Sequence, residues 1–157
     1  MDDGDDPAGL AFRARALAQA HPLSAAAQRS VNRAVRDEAV AQPRAELGAW
    51  AGTALTQGYC LRCVQEGERL ATPSDAMDDE ALDRAALAHA AALRSSSGDE
   101  VTVAALDLLV GSQVEHRLDQ WRDELDDATW TQLAEYLTWW VVKGYGLRLA
   151  ETSAQVP

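Results

Sequence analysis

Isoleucine is missing from this sequence altogether, and Lys143 is its only lysine. Arginine supplies the rest of the positive charge, a skew that a GC-rich coding sequence leaves and that carries no functional message by itself. Long hydrophobic runs are missing too. The longest strongly apolar stretch is Trp139-Trp140-Val141-Val142, far below the ~20 residues of a membrane-spanning helix. A signal peptide opens on basic residues, whereas this chain opens on Asp2, Asp3, Asp5 and Asp6, so no export is expected and a cytoplasmic location follows by default. Cysteine is scarce: Cys60 and Cys63 alone cannot supply the disulfide framework of a small secreted domain. Basic residues are outnumbered, 14 Lys and Arg against 25 Asp and Glu, for a net charge of −11. Such a chain has no electrostatic footprint for phosphate backbones, which argues against nucleic-acid binding. Sustained alternation and long β-branched runs are absent, which removes the signals of strands.

What remains reads as helix. At 157 residues the chain suits one domain with a proper core. Residues 1–6 read as an acidic flexible tail, and 7–157 as a single all-helical domain. Pro7 suits a first helical turn, His21-Pro22 ends that helix, and Ser24 is a plausible N-cap for a second helix reaching about Gln42. A third helix follows from Pro43 to about Leu70. Thr72–Asp75 and Ser95–Gly98 are connectors, and between them lies a helix over about 78–94. A fifth helix covers about Glu100 to Leu125, with a bend expected at Gly111. A sixth runs from about Asp126 or Asp127 to Thr152. The expectation is an all-α protein of about six helices in an orthogonal or antiparallel bundle.

Residues 36–62 are echoed at 122–148. Arg36-Asp37-Glu38 returns as Arg122-Asp123-Glu124, and Gly58-Tyr59-Cys60-Leu61-Arg62 as Gly144-Tyr145-Gly146-Leu147-Arg148, both at an offset of 144 − 58 = 86. With Leu47/Leu133 in the same register there are eight identities in 27 positions, where unrelated segments share roughly two. The pattern suggests an internal pseudo-two-fold duplication, pairing the second and third helices with the fifth and sixth. Copies of about 24–71 and 100–152 would then stand on either side of the helix at 78–94. Leu47, Trp50, Ala54, Gly58, Leu61 and Val64 make one apolar stripe at helical spacing; Leu133, Tyr136 or Leu137, Trp140, Gly144 and Leu147 make its counterpart. Glycine in a helix interior costs roughly 1 kcal/mol against alanine, so Gly58 and Gly144 on these stripes predict a close crossing of the third and sixth helices.

Three sets of residues carry possible function. Tyr59, Arg62, Tyr145 and Arg148 flank the stripes, and a planar guanidinium suits a carboxylate bidentately. They define either two equivalent ligand sites or, more economically, ion pairs within each copy that fix a helix crossing. Cys60-Leu61-Arg62-Cys63 is a CxxC whose thiols share a helix side. No second CxxC accompanies it, and His21, His89 and His116 are isolated, so no metal or other cofactor is expected. The motif resembles that of the alkylhydroperoxidase D-like group, which is all-helical and reduces peroxides through a CxxC; Gly67 stands where that family has its histidine, and Glu46 lies upstream, off the family's usual glutamate spacing. The resemblance implies Cys60 and Cys63 as catalytic thiols. Lastly, Trp139, Val142, Gly146 and Leu149 form a second apolar side on the sixth helix. Such a helix is either central or shared with another molecule. The sequence therefore favours a non-catalytic interaction or small-ligand module, a homodimer or the partner of another protein, with an apolar ligand as a further option. A thiol-dependent reductase is the alternative.

Overall fold

The computed structural model describes residues 6–20, 23–41, 46–66, 78–95, 100–121 and 127–155. The chain is all-helical: α1 (Pro7–Gln19), α2 (Ala25–Ala41), α3 (Glu46–Gln65), α4 (Asp79–Ser95), α5 (Glu100–Trp121) and α6 (Asp127–Gln155), with no strand among the described residues. Three helix starts follow from short polar side chains. Asp6 caps α1, its carboxylate accepting from the Ala8 N–H at 3.0 Å, and Pro7 occupies the first turn, where a missing N–H forfeits nothing. Ser24 Oγ accepts from the Ala27 N–H at 3.0 Å at the head of α2. Asp78 accepts from the Ala81 N–H at 2.7 Å at the head of α4. Each such cap contributes about 1 kcal/mol.

The observed limits differ from the sequence reading in places. α3 stops at Gln65, and Glu66 is a turn residue whose N–H is shared between the Arg62 and Cys63 carbonyls. α5 runs unbroken through Gly111; a Cβ there would meet nothing within 4 Å, so no neighbour forces the expected bend. α6 continues past Thr152 to Gln155. The tail up to Asp5 and the connectors at 72–75 and 96–98 lie outside the described residues.

α3 and α6 form the centre and pack more extensively on each other than any other pair. α1 and α2 lie against α3, α4 and α5 lie against α6, and α1–α5 and α2–α4 contacts link the flanks. Thus α4, expected to stand between two copies, takes the position on α6 that α1 has on α3. The central helices are buried on nearly every side. Of its expected stripe α3 buries Trp50, Ala54, Gly58, Leu61 and Val64, with Leu47 partly buried, and it also buries Ala51, Leu55, Tyr59, Cys60 and Cys63. That is the pattern of a helix enclosed by others.

The expected glycine crossing is present. A Cβ placed on Gly58 would come within 1.9 Å of the Val141 carbonyl oxygen, and one on Gly144 within 2.0 Å of that of Leu55. The Tyr145 nitrogen would lie 3.0 Å from the first and the Tyr59 nitrogen 2.9 Å from the second. Leu55 and Val141, like Tyr59 and Tyr145, stand 86 residues apart (141 − 55, 145 − 59). The contact is reciprocal in the register of the repeat, as a local two-fold axis through the crossing would make it. Backbone meets backbone here with no room for a methyl group, so any larger residue must separate the two helices.

Candidate functional site

Beyond the crossing, the C-terminal stretches of α3 and α6 lie side by side and bring the repeated polar residues together. Tyr59, Arg62 and Gln65 follow at three-residue steps on α3, as Tyr145, Arg148 and Glu151 do on α6, so each set shares one helix face. The faces interlock crosswise. Arg148 donates to the Tyr59 hydroxyl at 3.3 Å and to Glu151 at 3.4 Å, while the Tyr59 O–H donates to Glu151. In mirror fashion Arg62 donates to the Tyr145 hydroxyl at 3.4 Å and the Tyr145 O–H donates to Gln65. Each guanidinium also sits near the ring of its tyrosine, Arg148 at 5.6 Å from the Tyr59 centroid and Arg62 at 5.9 Å from that of Tyr145.

The next helices complete each set. The Ser24 hydroxyl, at the head of α2, donates to the second Glu151 oxygen. Gln65 Nε2 donates to the Thr102 hydroxyl, in the first turn of α5, at 2.7 Å. Glu66 joins the two sets: one oxygen accepts from Arg148 Nε at 2.9 Å and the other from Arg62 Nε at 3.2 Å. Every charge in this cluster thereby has an opposite partner, which a buried ion requires if it is not to cost several kcal/mol. Burial, then the Glu151 charge and hydrogen bond, push the Tyr59 phenol well above its ordinary range, which keeps its proton on the donating side.

The economical alternative from the sequence holds for the ion pairs: Arg62 pairs with Glu66 and Arg148 with Glu151, each within its own copy. The arginines do fix a helix crossing, but their tyrosines come from the opposite helix, and the shared carboxylate is Glu66. The Arg-Asp-Glu triplet is elsewhere: Arg36 and Asp37 are exposed and 3.8 Å apart, and Glu38 accepts from the Tyr136 hydroxyl at 2.7 Å. Arg122–Glu124 lie outside the described residues. Sequence reasoning missed Glu66, Gln65, Glu151, Thr102 and the link through Ser24. The signal available for two of them was register, since Gln65 and Glu151 are also 151 − 65 = 86 apart.

Cys60 and Cys63 are both free, at 0% and 1% exposure. Burial, with Cys63 adjoining, pushes the Cys60 thiol up to about 12. Burial raises Cys63 to about 11 against the opposing pull of Arg148. A reactive thiol needs the opposite environment, electropositive and partly open. The position matched to the alkylhydroperoxidase D-like histidine, Gly67, is outside the described residues. Among the described residues no three His, Cys, Asp or Glu side chains gather as metal ligands would.

The second apolar side of α6 meets α4. A Cβ on Gly146 would lie 2.6 Å from the Ala86 carbonyl oxygen and 3.0 Å from the Ala90 nitrogen. Val142 is buried, and Trp139 and Leu149 are partly buried against the same core. Much of that stripe is therefore accounted for within the chain, as a central helix requires. Among the described residues no helix is long and apolar enough to cross a membrane. Compared with family models, curated proteins and solved structures, the chain matches none.

Proposed function

We propose that this chain is a non-catalytic helical interaction module that acts as a homodimer, with the α3/α6 crossing as its rigid frame. The observation that carries this reading is saturation. Beside the α3/α6 crossing the arginines, tyrosines and carboxylates are engaged with one another, and both thiols are sealed with their protons held. A nucleophile or general base has to be free to meet a substrate. The thiol reductase reading lacks support of this kind, since Cys60 and Cys63 are buried on a helix enclosed on most sides.

Thiol titration tests it. At pH 8 a disulfide reagent should leave both cysteines unmodified in the folded protein and modify both after denaturation. Fast native-state labelling, or a reversible Cys60–Cys63 disulfide, would sink the non-catalytic reading. The raised thiols also fix a pH dependence. In the unfolded chain they ionise near the ordinary 9.0, whereas in the fold they hold their protons to about 12 and 11. The unfolded state therefore binds fewer protons above pH 9, so stability falls as pH rises from about 9 toward 11, by up to ~1.4 kcal/mol per unit for each thiol. Cys60→Ala should flatten that decline.

A further inference from the structure

The two flanks of the molecule carry the same kinds of charge in different states. On one, α2 presents arginines and α4 presents aspartates, and they meet: Arg29 pairs with Asp79 at 3.0 Å, and Arg33 with Asp79 at 2.9 Å and Asp83 at 2.8 Å. On the other flank the helices in the corresponding positions have the signs exchanged. α1 has two arginines and no acidic residue. α5 has Glu100, Asp107, Glu115 and Asp119 against Arg117. Between α1 and α5 runs a surface groove of about 550 Å³, lined by Ala8, Ala11, Arg15, Asp107, Gly111 and Glu115 among others. Arg15 of α1 and the two carboxylates of α5 line this groove together, yet among the described residues none of the three forms an ion pair.

The same two helices also expose large apolar side chains. Phe12, the only phenylalanine of the chain, is 65% exposed, and on α5 Leu108 is 44% and Val103 40% exposed. Val103, Asp107, Gly111 and Glu115 follow at four-residue steps, so they share one stripe, and at Gly111 that stripe has a gap that a Cβ would leave untouched by any neighbour. The face thus has a basic, aromatic half on α1 and an acidic, notched half on α5.

We propose that this α1/α5 face is the surface on which two copies of the chain associate, the basic α1 of each copy lying against the acidic α5 of the other. The inference rests on the homodimer reading above and deepens it by naming the face. A surface carrying opposite charges on its two halves is complementary to itself after a two-fold rotation, which is the condition for a closed isologous dimer. Rotation brings Arg15 of each copy to Asp107 and Glu115 of the other and Phe12 to the notch at Gly111. α1, at 13 residues, is about 20 Å long, and a two-helix face of that length offers roughly 400 Å² per copy, which places the contact among small, transient interfaces.

The test is a pair of charge reversals followed by sedimentation. The unaltered chain should show a reversible monomer–dimer equilibrium that weakens with added salt, because rim charges are screened. Arg15→Glu alone, and Asp107→Arg with Glu115→Arg, should each weaken self-association by about tenfold or more, with helix content unchanged. Mixed together, the two variants should associate with each other, since one contact regains opposite signs and the other is the original pairing. A chain that stays monomeric up to about 500 μM, a mixture that fails to associate, or a dimer indifferent to both variants would overturn the proposal. So would a dimer abolished by Trp139→Ala in an intact fold, which would place the interface on α6. None of these results touches the thiol titration, so failure of this face and failure of the non-catalytic reading are separable.

Discussion

The two polar sets beside the glycine crossing share a tyrosine and an arginine in the same register, and they differ in burial, in Glu151 against Gln65, and in the hydroxyl that completes each, Ser24 against Thr102. Around Tyr59 the partners are Arg148, 4% exposed, and the fully buried Glu151 carboxylate. Around Tyr145 the partners are Arg62, whose side chain is 33% exposed, and the amide of Gln65. A charge is kept where water is excluded and dispensed with where water has access. The sealed set is strongly dependent on its partners, because removing one strands the other in a medium that cannot solvate it. The half-open set can fall back on solvent. Symmetry of sequence has produced a similar wiring diagram with different energetics.

Arg148→Ala should produce the largest effect, a loss of about 3–5 kcal/mol in denaturant unfolding, because Glu151 loses its cationic partner in the buried set. Adding Glu151→Gln to that variant should recover part of the loss by removing the stranded charge. If the double variant is as unstable as the sum of the two single ones, Glu151 is not held by Arg148 and the contrast fails. Glu151→Gln alone should cost less, about 1–2 kcal/mol. An amide there can copy the other set, accepting from Tyr59 while donating to the Ser24 hydroxyl as Gln65 does to Thr102. Arg62→Ala should cost least, below about 1 kcal/mol, since its pair with Glu66 is partly solvated and Glu66 keeps Arg148. An Arg62→Ala loss as large as that of Arg148→Ala would show that the two sets are energetically alike.

The helices and the crossing were legible because they depend on local signals. Pro7, Ser24 and Asp78 mark helix starts wherever the chain goes next, and a glycine on an apolar stripe announces a close approach whatever approaches it. The partners across the crossing were not legible. That Arg62 meets Tyr145 of the other copy as well as Glu66 of its own depends on the direction in which α3 and α6 cross, and periodicity is silent about direction. Glu66 was hidden further because its counterpart in the register is Thr152 (152 − 66 = 86), so the repeat did not flag it. Trp139, Val142, Gly146 and Leu149 show a related limit. A helix with two apolar sides announces that both are covered, but α4 and a second molecule would leave the same pattern in the sequence.

The glycine crossing also bears on how the chain finds its fold. Gly58 and Gly144, at the crossing, are separated by 86 positions of chain (144 − 58), and closing a loop of that length costs roughly 4 kcal/mol of entropy before any contact repays it. The alignment has little slack. Sliding α3 by one turn would bring Ala54 or Arg62 to the narrow point, and sliding α6 would bring Trp140 or Arg148. Each carries a Cβ into a space less than 2.1 Å from a carbonyl oxygen. The crossing therefore acts as a register key that accepts one docking of the two central helices.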